Sequence, residues 1–131
     1  MKILVGYDGS NVAQAALELA RKQAMVWGAK VDVVNCMAQN RELEYEDIRK
    51  VEQNLEGEVH NILNSEKISY ETHLVISGLE SGEDLVQFAE QNKADEIIIG
   101  IRKRSKVGKL MFGSTAQYVI LNAPCPVVSI K

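Results

Sequence analysis

The sequence predicts an α/β fold, an open five-stranded parallel sheet with helices on both faces. Two observations carry that expectation. Five short β-rich runs alternate with longer helical patterns along 131 residues, and strict alternation of strand and helix calls for right-handed crossovers within one sheet. Several of the runs, such as Ile97-Ile98-Ile99, are continuously apolar, as strands covered on both faces must be.

The elements follow in order. Ile3-Leu4-Val5 is the first strand, ended by Gly6-Tyr7-Asp8-Gly9. From Asn11, the residues Val12, Ala16, Leu19, Ala20 and Gln23 keep a 3.6-residue period, and Gly28 stops that helix. The second strand runs from Val31 to Met37, interrupted by Asp32 and Asn35. A long helix is expected from about Asn40 to Asn64, with Ile48, Val51, Leu55, Val59 and Ile62 on its apolar stripe and charge on its other faces. Gly57 costs this helix about 1 kcal/mol against alanine and marks a point where it is able to bend or split. Tyr70, Thr72, Leu74 and Ile76 alternate along the third strand. The third helix opens at Ser81-Gly82-Glu83-Asp84, a capping pattern, and carries Leu85, Val86, Phe88 and Ala89. Ile97-Ile98-Ile99 is the fourth strand; a helix from Ser114 carries Ala116, Val119 and Ile120; Pro126 to Ile130 is the fifth strand. No repeat or linker divides residues 1–131, which are expected to form one domain.

Composition excludes several classes. With 15 basic and 18 acidic residues, the net charge of −3 gives no global pull toward nucleic acid or acidic lipid. No apolar run approaches the roughly 18 residues of a transmembrane helix, and the N-terminal apolar run is too short for a signal peptide. Cys36 and Cys125 stand in no metal-like spacing and read as reduced packing residues of a cytoplasmic protein. His60 and His73 have no metal partner three or four residues away and read as structural or surface histidines. There is no C-x-x-C and no G-x-S-x-G elbow.

In such a sheet, ligands sit beyond the carboxyl ends of the strands, where the strand order reverses. The loops there are 6–10, 36–40, 77–82 and 100–113. The last begins GIRKRSKVGKL, in which five of the ten residues after Gly100 are Arg or Lys, a third of all the positive charge. Glycine at a strand end lets a ligand approach the backbone, and Gly113-Ser114 opens a helix whose free N–H groups suit an anion. Two readings stand side by side. The stretch binds phosphate, or Ser114 and Gln117 merely form a capping box and the cations are solvated. It is not a Walker A loop, because Gly108-Lys109 is followed by Leu110. Asp8 likewise either bonds a ribose hydroxyl or a magnesium ion, or serves an ordinary Asp-Gly-Ser turn.

From Lys2-Ile3-Leu4-Val5-Gly6-Tyr7-Asp8-Gly9-Ser10 to Ala123-Pro124-Cys125-Pro126-Val127, the chain resembles the universal stress protein family. Nucleotide-binding members of that family carry G-x2-G-x9-G-(S/T). Here Gly100, Lys103 and Gly113-Ser114 keep the spacing, with Lys103 in place of the second glycine. The resemblance implies a Rossmann-like strand order of 3-2-1-4-5, which brings Asp8 and Gly100 together. It implies ATP or another adenine nucleotide held by Tyr7, Asp8, Cys36, Gly100, Arg102, Lys103, Gly113, Ser114 and Thr115. The backbone at Cys36 would meet the adenine, Gly113 to Thr115 the phosphates, and Asp8 the ribose or Mg2+. The function implied is regulatory, in a stress response, with an unidentified protein partner. No positioned general base is evident, so at most slow ATP hydrolysis is expected. The alternative is a nucleotide-independent dimeric scaffold whose basic loop meets a protein partner. Val127-Val128-Ser129-Ile130, ahead of Lys131 alone, reads as an uncovered edge strand that pairs antiparallel with a second copy.

Overall fold

A computed structural model describes residues 1–38, 44–64, 67–77, 79–101, 104–106, 109–111 and 113–131. The chain runs β1 (Lys2–Gly6), α1 (Asn11–Trp27), β2 (Lys30–Ala38), α2 (Tyr45–Leu63), β3 (Tyr70–Ser77), α3 (Ser81–Gln91), β4 (Glu96–Gly100), β5 (Arg104–Lys106), β6 (Lys109–Met111), α4 (Ser114–Asn122) and β7 (Val127–Ile130). The main sheet has the order β3-β2-β1-β4-β7, and every neighbouring pair in it is parallel. This is the expected 3-2-1-4-5 order, with β7 as the fifth strand.

The two-residue period of the strands sorts the core into two layers. Ile3, Val5, Val31, Val33 and Ile98 pack under α1 and α2, with Ala16, Leu17, Ala20, Leu55 and Val59. Leu4, Val34, Ile97 and Ile99 pack under α3 and α4, with Leu85, Val86, Ala89 and Val119. Among the described residues no helix is long and apolar enough to cross a membrane.

Local chemistry sets both ends of α1. Ser10 caps α1, its hydroxyl accepting from the Ala13 N–H at 3.2 Å. Gly28 closes α1 in the left-handed region at φ 65°, donating its N–H to the Ala24 carbonyl. The long helix and two other expectations are sharpened or corrected. Helix α2 runs unbroken through Gly57, because its buried stripe of Leu55, Val59 and Leu63 outweighs a propensity cost of about 1 kcal/mol. It begins at Tyr45, and the expected start at Asn40 falls on residues 39–43, outside those described. Neither Ser81 nor Ser114 is a cap. The Asp84 N–H bonds the Glu80 carbonyl at 3.1 Å, and the Gln117 N–H bonds the Gly113 carbonyl at 3.1 Å. Glu80 and Gly113 therefore hold the cap positions, neither with a side-chain cap bond, and Ser114 is the first helical residue. Finally, the stretch after Gly100, expected as a loop, contains an antiparallel ribbon that pairs Arg104 with Met111 and Lys106 with Lys109.

Candidate functional site

Strand β1 is followed by α1 on one face of the sheet, and β4 leads toward α4 on the other. The two strands lie side by side, so the chain parts between their carboxyl ends. A cleft of about 360 Å³ opens there, within the size range of small-molecule sites. Gly6, Tyr7 and Asp8 line it from β1, Val34 and Cys36 from β2, and Ile99, Gly100 and Ile101 from β4. Ser81 and Leu85 of α3 and Gly113 to Ala116 at the start of α4 complete the wall.

The β1 side is polar and tightly held. Tyr7 is buried and donates its hydroxyl to Glu58 Oε2 of α2 at 2.7 Å. Burial, reinforced by that hydrogen bond and by the charges of Glu58 and Asp8, raises the phenol pKa well above its ordinary value. The phenol is therefore a neutral donor at physiological pH. Asp8 Oδ1 accepts the Ser10 N–H at 2.9 Å, and Gly9 turns the chain at φ 82°. Asp8 thus does serve the turn, while its exposed carboxylate stands on the rim of the cleft.

The β2 side is apolar. The Cys36 thiol is pushed up to about 12 by burial, and further by the nearby charge of Asp84. Cys36 is a neutral wall of the cleft, with too little thiolate to act as a nucleophile. Asp84 is buried and takes the Ser77 hydroxyl, whose oxygen lies 2.7 and 2.9 Å from the two carboxylate oxygens.

The two glycines that bracket the basic stretch differ. A Cβ on Gly100 would lie 2.6 Å from the carbonyl carbon of Val12 and 2.7 Å from its oxygen. The first turn of α1 needs that absence of a side chain. A Cβ on Gly113 would meet none of the described residues within 4 Å. Gly113 opens α4 with no side-chain cap bond and no acid in the first turn.

The universal stress protein family model matches residues 1–131, the whole chain. The chain belongs to the universal stress protein family. A universal stress protein of Mycolicibacterium smegmatis is 32% identical over 98% of this chain and 96% of its own. Among solved structures, a universal stress protein from Archaeoglobus fulgidus aligns at a TM-score of 0.85 with 39% identity, covering 100% of this chain and 98% of that one. A universal stress protein from the same organism, solved in complex with dAMP, aligns at 0.81 with 35% identity over 100% and 98%.

Of the residues that the family motif singled out, this universal stress protein brings Tyr7, Asp8, Cys36, Gly100, Gly113, Ser114 and Thr115 to one cleft. Arg102 and Lys103 lie outside the described residues. Sequence reasoning missed the apolar wall of Val34, Leu85, Ile99 and Ile101. Val34, Leu85 and Ile99 read as core, and Ile101 as part of the basic loop; all four are core whose upper end lines the cleft. It also missed Glu58. That residue sits among the charges of a solvated helix, and nothing in its spacing ties it to Tyr7, 51 positions away.

Proposed function

We propose that this universal stress protein is a regulatory protein that binds an adenine nucleotide in the cleft between β1 and β4. The observation that carries the reading is the start of α4. It lines the cleft, has no side-chain cap and no acid of its own, and begins at a glycine with open space beside it. Backbone N–H groups at such a terminus favour an anion. Gly113, Ser114 and Thr115 take the phosphates, and Arg102 and Lys103 of the basic stretch add positive charge. The backbone at Cys36, between Val34 and Leu85, takes the base. Gly100 and Tyr7 form the floor, and Asp8 meets the ribose or a magnesium ion carried by the nucleotide. A carboxylate oxygen on an exposed rim is the hard donor that Mg2+ requires. The related Archaeoglobus fulgidus protein in complex with dAMP supports the ligand class. Occupancy of the cleft would change how the protein meets a partner in a stress response, with no catalytic turnover required.

Calorimetric titration with ATP and AMP, each with and without Mg2+, tests the reading. The protein is expected to take up one adenine nucleotide per chain. Folded wild-type protein that binds none at millimolar concentration overturns it and leaves the basic stretch as a contact for a protein partner.

The proposed assembly is a homodimer through β7, the sheet edge opposite β3. Strand β7 is paired on one side only, with β4, which leaves an edge open to a second copy. Light scattering at micromolar concentration is expected to give twice the chain mass of 14.5 kDa. A clean monomer counts against the pairing.

A further inference from the structure

A second polar cluster lies on the sheet away from the cleft. The register pairs Asp32 of β2 with Glu71 of β3. Lys30 and Asp32 are two residues apart, as are Glu71 and His73, so all four occupy one face of the sheet. His73 Nε2 is 3.0 Å from Asp32 Oδ1 and 3.8 Å from Glu71 Oε2. One ligand atom from each of Asp32, Glu71 and His73 lies within 4.8 Å of the other two, the one such grouping among the described residues. The Asp32 side chain is only 7% exposed. The His73 ring packs against Phe88 of α3 with centroids 4.7 Å apart, which limits its orientation. Cys36, in the cleft, is four residues further along β2, about 13 Å away at the rise of a strand.

We propose that Asp32, Glu71 and His73 form a site for a divalent transition metal of the zinc class, and that the Lys30 ammonium is the internal cation such a metal displaces. A buried carboxylate requires a cation or donor beside it. Here His73 and Lys30 fill that need, with Lys30 Nζ 3.6 Å from Asp32 Oδ1 and 3.1 Å from Glu71 Oε1. The position is thus already built to receive positive charge. Lys30 is loosely placed in it, because its nearer partner Glu71 is 59% exposed and an exposed ion pair contributes little. One imidazole and two carboxylates suit zinc, nickel or copper better than magnesium or calcium. Ligands at zinc bond lengths of 2.0–2.2 Å stand about 3.3 Å apart in a tetrahedron. Asp32 and His73 are close to that spacing, and the exposed Glu71 closes the remainder by side-chain rotation. Metal entry takes the place of the hydrogen bond between His73 Nε2 and Asp32, with the neutral imidazole carrying its proton on Nδ1 instead, and water fills the fourth position.

Calorimetric titration of the chelator-treated full chain with zinc chloride tests the site. Wild type is expected to bind one zinc that His73→Ala weakens at least tenfold. Lys30→Gln is expected to tighten that binding several-fold by removing the competing ammonium, which a merely structural cluster would not do. His60→Ala is expected to change nothing, because His60 bonds Tyr70 at 3.0 Å, whose side chain lies on the opposite face of β3. His73 is half-buried, so its variant is expected to fold, and circular dichroism checks this. Failure of both wild type and Lys30→Gln to bind zinc at millimolar concentration overturns the proposal. So does zinc binding that survives His73→Ala undiminished, or a Lys30→Gln affinity at or below that of wild type. None of these outcomes depends on whether a nucleotide binds.

Discussion

Three helices start on the rim of the cleft, and the chain finishes them differently. Helix α1 is capped by the Ser10 hydroxyl, and its first turn is pressed against Gly100, so closely that no Cβ fits between them. Helix α3 has no side-chain cap but places Glu83 and Asp84 in its first turn, where negative charge complements the helix dipole. Helix α4 has neither device. The N-terminal N–H groups of a helix lack intrahelical partners, and at α4 no side chain of the helix supplies one. The two glycines that bound the basic stretch report the same contrast. Gly100 is fixed by what the protein already contains. Gly113 stands beside space that no described residue fills. Packing explains the first position, and a small anionic ligand is the simplest account of the second.

Gly100→Ala is expected to give the largest effect. The added methyl meets backbone atoms of Val12, which cannot rotate away as a side chain would. The helix must shift off β4, a contact that Ile98 and Leu17 in the layer below depend on. A forced repacking of this kind is expected to cost about 3 kcal/mol and to lower the melting temperature by roughly 10 °C, with no ligand present. A thermal melt of the unliganded variant checks it. A melting temperature within about 2 °C of wild type would mean that the start of α1 yields easily, and the contrast between the glycines would collapse.

The sheet was legible because its causes are local. Runs such as Ile97-Ile98-Ile99 and stops such as Gly28 carry their reason within a few residues. The cleft was legible mainly through the family motif, since periodicity alone says nothing of strand order. The helices start at Ser81 and Ser114 as expected, but their caps were misread because the two serines match a capping pattern that shifts by one residue at no visible cost. Only the hydrogen bonds to Glu80 and Gly113 decide the register. The small ribbon of β5 and β6 left a readable trace. Arg104–Lys106 and Lys109–Met111 are separated by two residues, the second a glycine, a spacing that favours hairpins. Cross-strand and cross-layer partnerships left none. Tyr7 with Glu58, and His73 with Asp32, join residues 51 and 41 positions apart. A search for metal ligands three or four residues away along a helix passes over a histidine whose partners stand two residues away on its own strand and on the neighbouring one.

Gly113 gives the smaller and sharper test. Its backbone, at φ −65° and ψ 159°, is open to any residue, and no described residue obstructs a Cβ. Gly113→Val is therefore expected to cost only about 1 kcal/mol, the difference between a glycine and a β-branched residue at a cap position. It should nonetheless abolish adenine nucleotide binding, because the branched side chain occupies the space left for phosphate. Gly113→Ser separates packing from ligand more cleanly. Serine caps helices slightly better than glycine, by a few tenths of a kcal/mol, so this variant is expected to melt at or just above wild type. Its hydroxyl would accept the same N–H groups that the phosphate needs, so nucleotide affinity is expected to fall by about tenfold, the equivalent of one hydrogen bond to a charged group. Stability and affinity then move in opposite directions on one substitution. A thermal melt beside a calorimetric titration reads both. If Gly113→Ser binds nucleotide as tightly as wild type, the first turn of α4 is not where the phosphates sit, and the cleft must hold its ligand from the β1 side alone.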